Sequence, residues 1–410
     1  MLREIRSANI FYANENHLHN ILRSVIQASC YSFLRLSIDS SANNKNESTV
    51  AVGIIKGRGI LPNRVLNVEN LYIDIPLAGG VLHAVDGISL HVDRGETLCI
   101  VGESGCGKSL TSLAIMGLLP KRVARRVQEL DLAGHSLIGL SELEMSDIRG
   151  NRMGMIFQEP MTSLNPAFTV GNQMTETLHR HRDLSRRDAT NLAIEMLERV
   201  GINPARQRLL QYPHQLSGGL RQRVMIAIAL LCNPELIIAD EPTTALDVTI
   251  QAKILELLRD LQADFNMGLM LVTHDMGVVA NVADRVAVMY AGQIVEQGSV
   301  WQIFDNPVHP YTRGLMRCIP VPGEISRDKP LGTIPGMVPS LIGDFTGCRL
   351  AGRWPPVDEQ PEHVDFSLTP VDGRPGSFSV IGDDNHLVNF CCDECLNKSG
   401  SLIINGGASC

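Results

Sequence analysis

Residues 101–110 read Val-Gly-Glu-Ser-Gly-Cys-Gly-Lys-Ser-Leu and contain Gly102-x-x-x-x-Gly107-Lys108-Ser109. This is the spacing of a loop that grips phosphate. Its glycines let backbone N–H groups approach the oxygens, Lys108 brings a point charge, and Ser109 offers a hydroxyl to Mg²⁺. The candidate phosphate contacts are therefore Gly102, Glu103, Ser104, Gly105, Cys106, Gly107, Lys108, Ser109 and Leu110. A chance glycine turn can have the same letters. The motif by itself speaks of a nucleotide and is silent on what the energy drives.

Three further positions carry chemistry. Asp240-Glu241 follows the continuous apolar run 236–239. A run of that kind suits a strand buried on both faces of a parallel sheet, and open α/β sheets bind ligands beyond the carboxyl ends of their strands. There Asp240 would hold Mg²⁺, directly or through water. Glu241 would polarise a water near the γ-phosphate, since phosphoryl transfer needs positioning and charge more than covalent help. An isolated Asp-Glu pair is usually a solvated loop; the strand before it and the phosphate loop upstream reverse that. His274 closes the next apolar run, 269–273, and Gln158 closes 153–158. His274 can reach the γ-phosphate from there, and Gln158 can reach Mg²⁺ or the attacking water. The catalytic candidates are Glu241, His274 and Gln158; the Mg²⁺ candidates are Ser109, Gln158 and Asp240.

These residues need a scaffold. Residues 96–101 read as the strand feeding the phosphate loop, and 108–119 as a helix stopped by Pro120, whose N-terminus adds a favourable dipole. Strands at 65–75 and 84–92 are joined through Gly79-Gly80, with Ile88, Leu90 and Val92 alternating. Lys121, Arg122, Arg125 and Arg126 read as a solvated basic loop. Residues 167–213 read as helical, with a capping box at Ser185 and Asp188. An apolar stripe of Leu192, Ala193, Met196, Leu197 and Val200 ends at Gly201. A helix at 250–261 and a hairpin at 286–297 around Ala291-Gly292 complete the alternation. The fold class is α/β: a phosphate-loop ATPase core with a mostly parallel sheet, an antiparallel β subdomain and a helical subdomain.

Composition narrows the class. The 410 residues are 44% apolar and 20% charged, which is globular, and a net charge of −8 argues against a nucleic-acid binder. Aromatics at 4% leave little for base-stacking platforms. The longest apolar run, 224–232, is far short of a membrane helix, and no stretch has the pattern of a signal peptide, so a cytosolic chain is expected.

Residues 102–109, Gln158, Leu216-Ser217-Gly218-Gly219, 236–241, Ala245-Leu246-Asp247 and His274, in this order and spacing, resemble the ABC-transporter ATPase subunit. The Ser-Gly-Gly element discriminates, because other phosphate-loop ATPases lack it. The resemblance implies a head-to-tail dimer, with ATP between the phosphate loop of one subunit and Ser217, Gly218 and Gly219 of the other. It implies Glu241 as general base, His274 as γ-phosphate contact, Asp247 as a cross-dimer contact and Gln158 as the link to the membrane subunit. The stretches 158–166, 240–250, 306–313 (Asn-Pro-Val-His-Pro-Tyr-Thr-Arg) and 334–341 (Ile-Pro-Gly-Met-Val-Pro-Ser-Leu) are similar to the dipeptide/oligopeptide importer branch. That branch also includes nickel, glutathione and other small-solute importers. The implied partners are a second ATPase subunit, usually a paralogue, two transmembrane permease subunits and a separate solute-binding protein. The implied location is peripheral, on the cytoplasmic face of the inner membrane, and the implied cofactors are ATP and Mg²⁺.

Some features depart from that pattern. Ile75 falls near the place of the aromatic that commonly stacks on adenine, with Tyr72 on the opposite strand face. Leu220 replaces the usual Gln or Met of the signature. Relatives carry a cysteine group resembling an iron–sulfur site; here Cys348 remains, Trp354 stands at the next expected position, and Cys391, Cys392 and Cys395 are out of context, so no cluster is expected. The expected organisation is an unassigned extension over 1–60, an ATPase domain over 64–300 with its helical subdomain at about 160–222, a Pro-rich appendage over 301–350, and a divergent, poorly ordered tail over 351–410. A chromosome-maintenance ATPase would carry a long coiled coil between loop and signature, and none is present. A catalytically impaired cassette acting as a pseudo-subunit is the non-enzymatic rival. Against it stand Lys108, Ser109, Asp240, Glu241 and His274.

Overall fold

The computed structural model describes residues 63–243, 248–319, 332–343, 349–350, 353, 365–370, 378–381, 386–390 and 403–404. The extension, Asp247, Cys348, Trp354 and the cysteines at 391, 392 and 395 lie outside them.

The chain opens with a long hairpin, β1 (Arg64–Leu77) and β2 (Gly80–Asp93). Strand β3 (Thr97–Val101) follows and delivers the glycine loop, from which α1 (Lys108–Ile115) departs. Three short strands return to the hairpin: β4 (Ala124–Arg126), β5 (Glu129–Leu132) and β6 (His135–Ser136). Both β4 and β5 pair antiparallel with β1, giving an antiparallel sheet ordered β2-β1-β5-β6 with β4 beside β1. Its alternating apolar residues, among them Leu66, Val68, Ile73, Val85, Leu90 and Leu130, form one core cluster with Ala114 and Ile115 of α1. Each such enclosed side chain contributes about 1.5–3 kcal/mol.

Helix α2 (Glu142–Ile148) starts from a full capping box of Ser141 and Glu144. Buried β7 (Met153–Ile156) leads into a helical layer: α3 (Pro160–Ser163), α4 (Val170–His181), α5 (Arg186–Arg199), α6 (Ala205–Arg208) and α7 (Gly218–Leu230). The chain then alternates through β8 (Leu236–Asp240), α8 (Val248–Phe265), β9 (Gly268–Thr273), α9 (Met276–Val282) and β10 (Arg285–Tyr290). The strand β11 (Gln293–Ser299), α10 (Val300–Asp305) and α11 (Pro310–Arg317) follow. Among the described residues of the tail are β12 (Asp365–Pro370), β13 (Phe378–Ile381), β14 (Leu387–Phe390) and β15 (Ile403–Ile404).

The central sheet is ordered β15-β12-β13-β14-β11-β10-β3-β9-β8-β7. From β10 to β7 the pairings are parallel, and β11 turns back antiparallel on β10. The register puts Val101 opposite Thr273, Asp240 opposite Val272, and Ile156 opposite Ala239. Four strand ends thus converge on one edge of the sheet, and the residues that follow them are the ones singled out for chemistry.

The appendage is tied to the sheet by buried Glu296 on β11. Its carboxylate accepts from Val308 N (2.8 Å) and His309 N (3.0 Å) at the start of α11, and His386 Nε2 lies 2.9 Å away.

Local expectations failed in places for physical reasons. Helix α1 stops at Ile115, ahead of Pro120, because Gly117 takes φ 65° and Leu118 N returns to Leu113 O at 2.8 Å. Leu192 is 40% exposed; Ala189 takes its place on the buried face of α5. Ser185 accepts from Asp188 N, but the Asp188 carboxylate accepts from the Ser185 hydroxyl, so the box is only half made. The basic stretch is not wholly a solvated loop: β4 carries Arg125, which donates to Ala114 O near the end of α1 (2.6 Å), and Arg126, which pairs with Asp74 (2.9 Å).

Candidate nucleotide site

The phosphate loop spans the gap between β3 and α1. Lys108 is 5% exposed, and its Nζ donates to Gly102 O (2.8 Å) and Glu103 O (2.9 Å). The lysine therefore ties the loop to itself, with Cys106 Sγ at 3.8 Å. Gly102 passes close to β10, and a Cβ there would stand 2.1 Å from Met289 O. Cys106 is fully buried, and burial pushes its thiol above the usual range.

Ser109 Oγ donates to Asp240 Oδ1 at 3.0 Å. Burial pushes the Asp240 carboxyl up, and the Ser109 hydroxyl and the Lys108 charge oppose that rise. A buried carboxylate beside a hydroxyl is a set of hard oxygen donors that suits Mg²⁺. Gln158 does not join them directly: its Nε2 donates to Glu241 Oε2 at 3.1 Å.

Glu241 is held by both its backbone and its carboxylate. It turns the corner at the end of β8 with φ 44°, and its N–H donates to Val272 O at 2.9 Å. One carboxylate oxygen accepts from Gln158; the other stands 3.0 Å from His274 Nδ1. Glu241 therefore touches both of the other catalytic candidates, 158 and 274. All three share a cleft of about 540 Å³ with Gly102, Glu103, Ser104, Gly105, Gly107, Lys108, Ser109 and Leu110. Cys106 and Asp240 stand behind this lining.

Ser217 caps α7, its Oγ accepting from Leu220 N at 3.4 Å. Ser217 and Gly218 are exposed, and neither they nor Gly219 line the cleft. Gln222, one turn later and 1% exposed, donates to Pro242 O, next to Glu241. The Tyr72 ring lies under the Arg126 guanidinium at 4.8 Å, and Ile75 faces Leu82 across the hairpin. Four residues stand near the loop where the sequence reading did not place them. Met276 and Leu315 line the cleft, while Tyr311 and Arg353 bond to Glu103. Tyr311 belongs to the stretch 306–313 already marked, a signal that pointed to the branch and not to the loop, and Leu315 lies two residues beyond it.

A parallel sheet with a phosphate loop after β3, an acidic pair after β8 and a capped Ser-Gly-Gly helix defines an ATP-binding cassette. Residues 85–244 match the ABC transporter family, and residues 295–360 match the oligopeptide/dipeptide transporter C-terminal region. The chain is 54% identical over 291 residues to the oligopeptide transport ATP-binding protein OppD of Bacillus subtilis (strain 168), covering 71% of this chain and 81% of that one. It is 50% identical over 346 residues to the dipeptide transport ATP-binding protein DppD of the same organism, covering 84% and 99%. Among solved structures, the dimeric post-hydrolysis ATP-binding cassette MJ0796 with ADP and Pi is 28% identical, with a TM-score of 0.51 over 57% of this chain and 98% of that one. The chain belongs to the ABC transporter family, as an ATP-binding subunit of the oligopeptide/dipeptide type.

Proposed function

We propose that this chain hydrolyses ATP to energise import of peptides, or of a related small solute, across the cell membrane. The observation that carries the catalytic part is the Glu241 carboxylate held between Gln158 (3.1 Å) and His274 (3.0 Å) at the mouth of the cleft. A carboxylate fixed at both oxygens is aimed rather than mobile. Glu241 accepts the proton of the attacking water, and Gln158 and His274 keep it facing the γ-phosphate. Lys108 and the loop N–H groups balance the phosphate charge. Ser109 and Asp240 would hold Mg²⁺, which supplies further positive charge at the phosphates.

Ser217, Gly218 and Gly219, exposed at the start of α7, serve the nucleotide of a second ATPase subunit, a paralogue of this chain. A helix N-terminus with free N–H groups suits an incoming γ-phosphate. Asp247 completes that contact. The remaining partners are two permease subunits and a separate solute-binding protein. Among the described residues no helix is long and apolar enough to cross a membrane, consistent with peripheral attachment to the cytoplasmic face. Peptide as solute is supported by the appendage, which falls in the matched region 295–360.

The test is Glu241→Gln in the assembled transporter. Hydrolysis and peptide uptake fall by at least about 10²-fold, the contribution of a general base, while ATP is still bound. Unchanged hydrolysis would remove Glu241 from the role of base.

A further inference from the structure

We propose that Tyr311 and Arg353 are positioning residues for the phosphate loop: they hold Glu103, and Arg353 cancels the Glu103 charge beside the arriving triphosphate. The proposal rests on reading 102–109 as the phosphate site. Arg353 meets Glu103 with a two-pronged fork, NH1 donating to Oε2 at 3.0 Å and NH2 to Oε1 at 2.9 Å. The guanidinium is itself fixed. Its Nε donates to Pro335 O (2.7 Å), NH2 also to Gly336 O (3.2 Å), and NH1 to Tyr290 Oη (3.3 Å). Its side chain is 6% exposed, against 30% for Glu103. A buried arginine with all three nitrogens engaged is rigid, and bidentate pairing makes it specific for a carboxylate.

Tyr311 holds the same residue by its backbone. The fully buried hydroxyl accepts from Glu103 N at 3.0 Å, and the ring packs on Tyr290 with centroids 4.4 Å apart. Glu103 O accepts from Lys108 at 2.9 Å. Every polar group of Glu103 is therefore engaged, and one residue links the phosphate lysine to the appendage. Packing alone does not call for a carboxylate here. A carboxylate in a cleft that receives a polyanion is unfavourable unless a cation answers it. Burial also pushes the Tyr311 phenol up, so the hydroxyl stays neutral and adds no second negative charge beside Glu103.

The test is titration of the full chain with a fluorescent ATP analogue and the matching ADP analogue, alongside thermal melting and the kinetics of the assembled transporter. Arg353→Gln leaves Glu103 uncompensated. It weakens the ATP analogue about tenfold and the ADP analogue less, raising KM while sparing kcat. Adding Glu103→Gln to Arg353→Gln recovers most of that loss. Tyr311→Phe, which keeps the ring and orphans the Glu103 N–H, weakens the ATP analogue about threefold. An Arg353→Gln chain with unaltered affinity, or a double variant no tighter than the single one, overturns the proposal and leaves Arg353 a packing residue. If Arg353→Gln does not fold, Tyr311→Phe decides: unchanged affinity there refutes the clamp. Lys108→Ala separates the two levels, because binding retained in that variant refutes the phosphate site itself.

Discussion

Gly102 and Gly105 lie in one loop at φ 150° and 81°, but their surroundings differ. A Cβ on Gly102 would meet Met289 O at 2.1 Å and Cys106 Sγ at 3.0 Å; one on Gly105 would meet nothing within 4 Å. Met289 is held in place, since β10 is paired to β3 on one side and to β11 on the other, with Met289 opposite Ile294. An ordinary C···O approach is about 3.3 Å, so in Gly102→Ala the loop must withdraw by about 1 Å. A displacement of that size at a positioned group costs about 10²-fold, or about 2.7 kcal/mol. In Gly105→Ala only the left-handed backbone resists, at about 1 kcal/mol and about fivefold. The assay is titration with a fluorescent ATP analogue, with thermal melting run on the same samples. The expected order is wild type, Gly105→Ala, then Gly102→Ala, with a wide gap before the last. If Gly102→Ala binds within threefold of wild type, or Gly105→Ala is the weaker binder, the described loop does not hold phosphate.

Gln222→Leu removes the donor from the buried Pro242 carbonyl. It lowers stability by about 1–3 kcal/mol and reduces kcat, because the released segment adjoins Glu241; melting and turnover measure the two effects. Ser217→Ala loses a helix cap, worth about 1 kcal/mol. If Ser217 also serves a partner's nucleotide, hydrolysis in the assembly falls by more than about tenfold, and a smaller loss confines Ser217 to capping. His91 is lowered from 6.5 to about 4 by burial and by the neighbouring Arg285 and Arg64 charges. The unfolded chain therefore binds the extra proton first. Stability is full above pH 6.5 and falls as the pH drops toward 4. Allowing for its partial exposure, the loss is about 1–2 kcal/mol, and in urea unfolding across that range wild type should lose that stability relative to His91→Gln, which lacks the titrating group.

The placement of the residues lining the cleft was legible because they sit where hydrophobic pattern and chemical motif coincide. Asp240, Glu241 and His274 each follow a run buried on both faces, and such a run announces a strand end. The hairpin over β1 and β2 was equally plain, through its alternation and its glycine pair. What stayed hidden depends on distance along the chain. Arg353 meets Glu103 across 250 positions, and no local spacing announces such a pair. Periodicity also cannot choose between Leu192 and Ala189 at the rim of α5, since the answer depends on what α5 packs against. The Pro120 stop was misplaced because a glycine at positive φ ended α1 first. The tail lacks a periodic pattern over most of its length, and yet β14 pairs with β11 at Glu296 and Gln297. Short strands added at a sheet edge need few residues and leave little trace in sequence.

Glu241 sits at φ 44°, where a non-glycine residue gives up about 1 kcal/mol. That cost has a consequence for any lineage or laboratory selecting this chain for heat resistance alone. Glycine or asparagine at 241 would relieve the corner, and substitutions of that kind would be enriched without regard to turnover. If Glu241 is the base proposed above, durability and catalysis pull in opposite directions at one position, and the acid persists where selection counts hydrolysis.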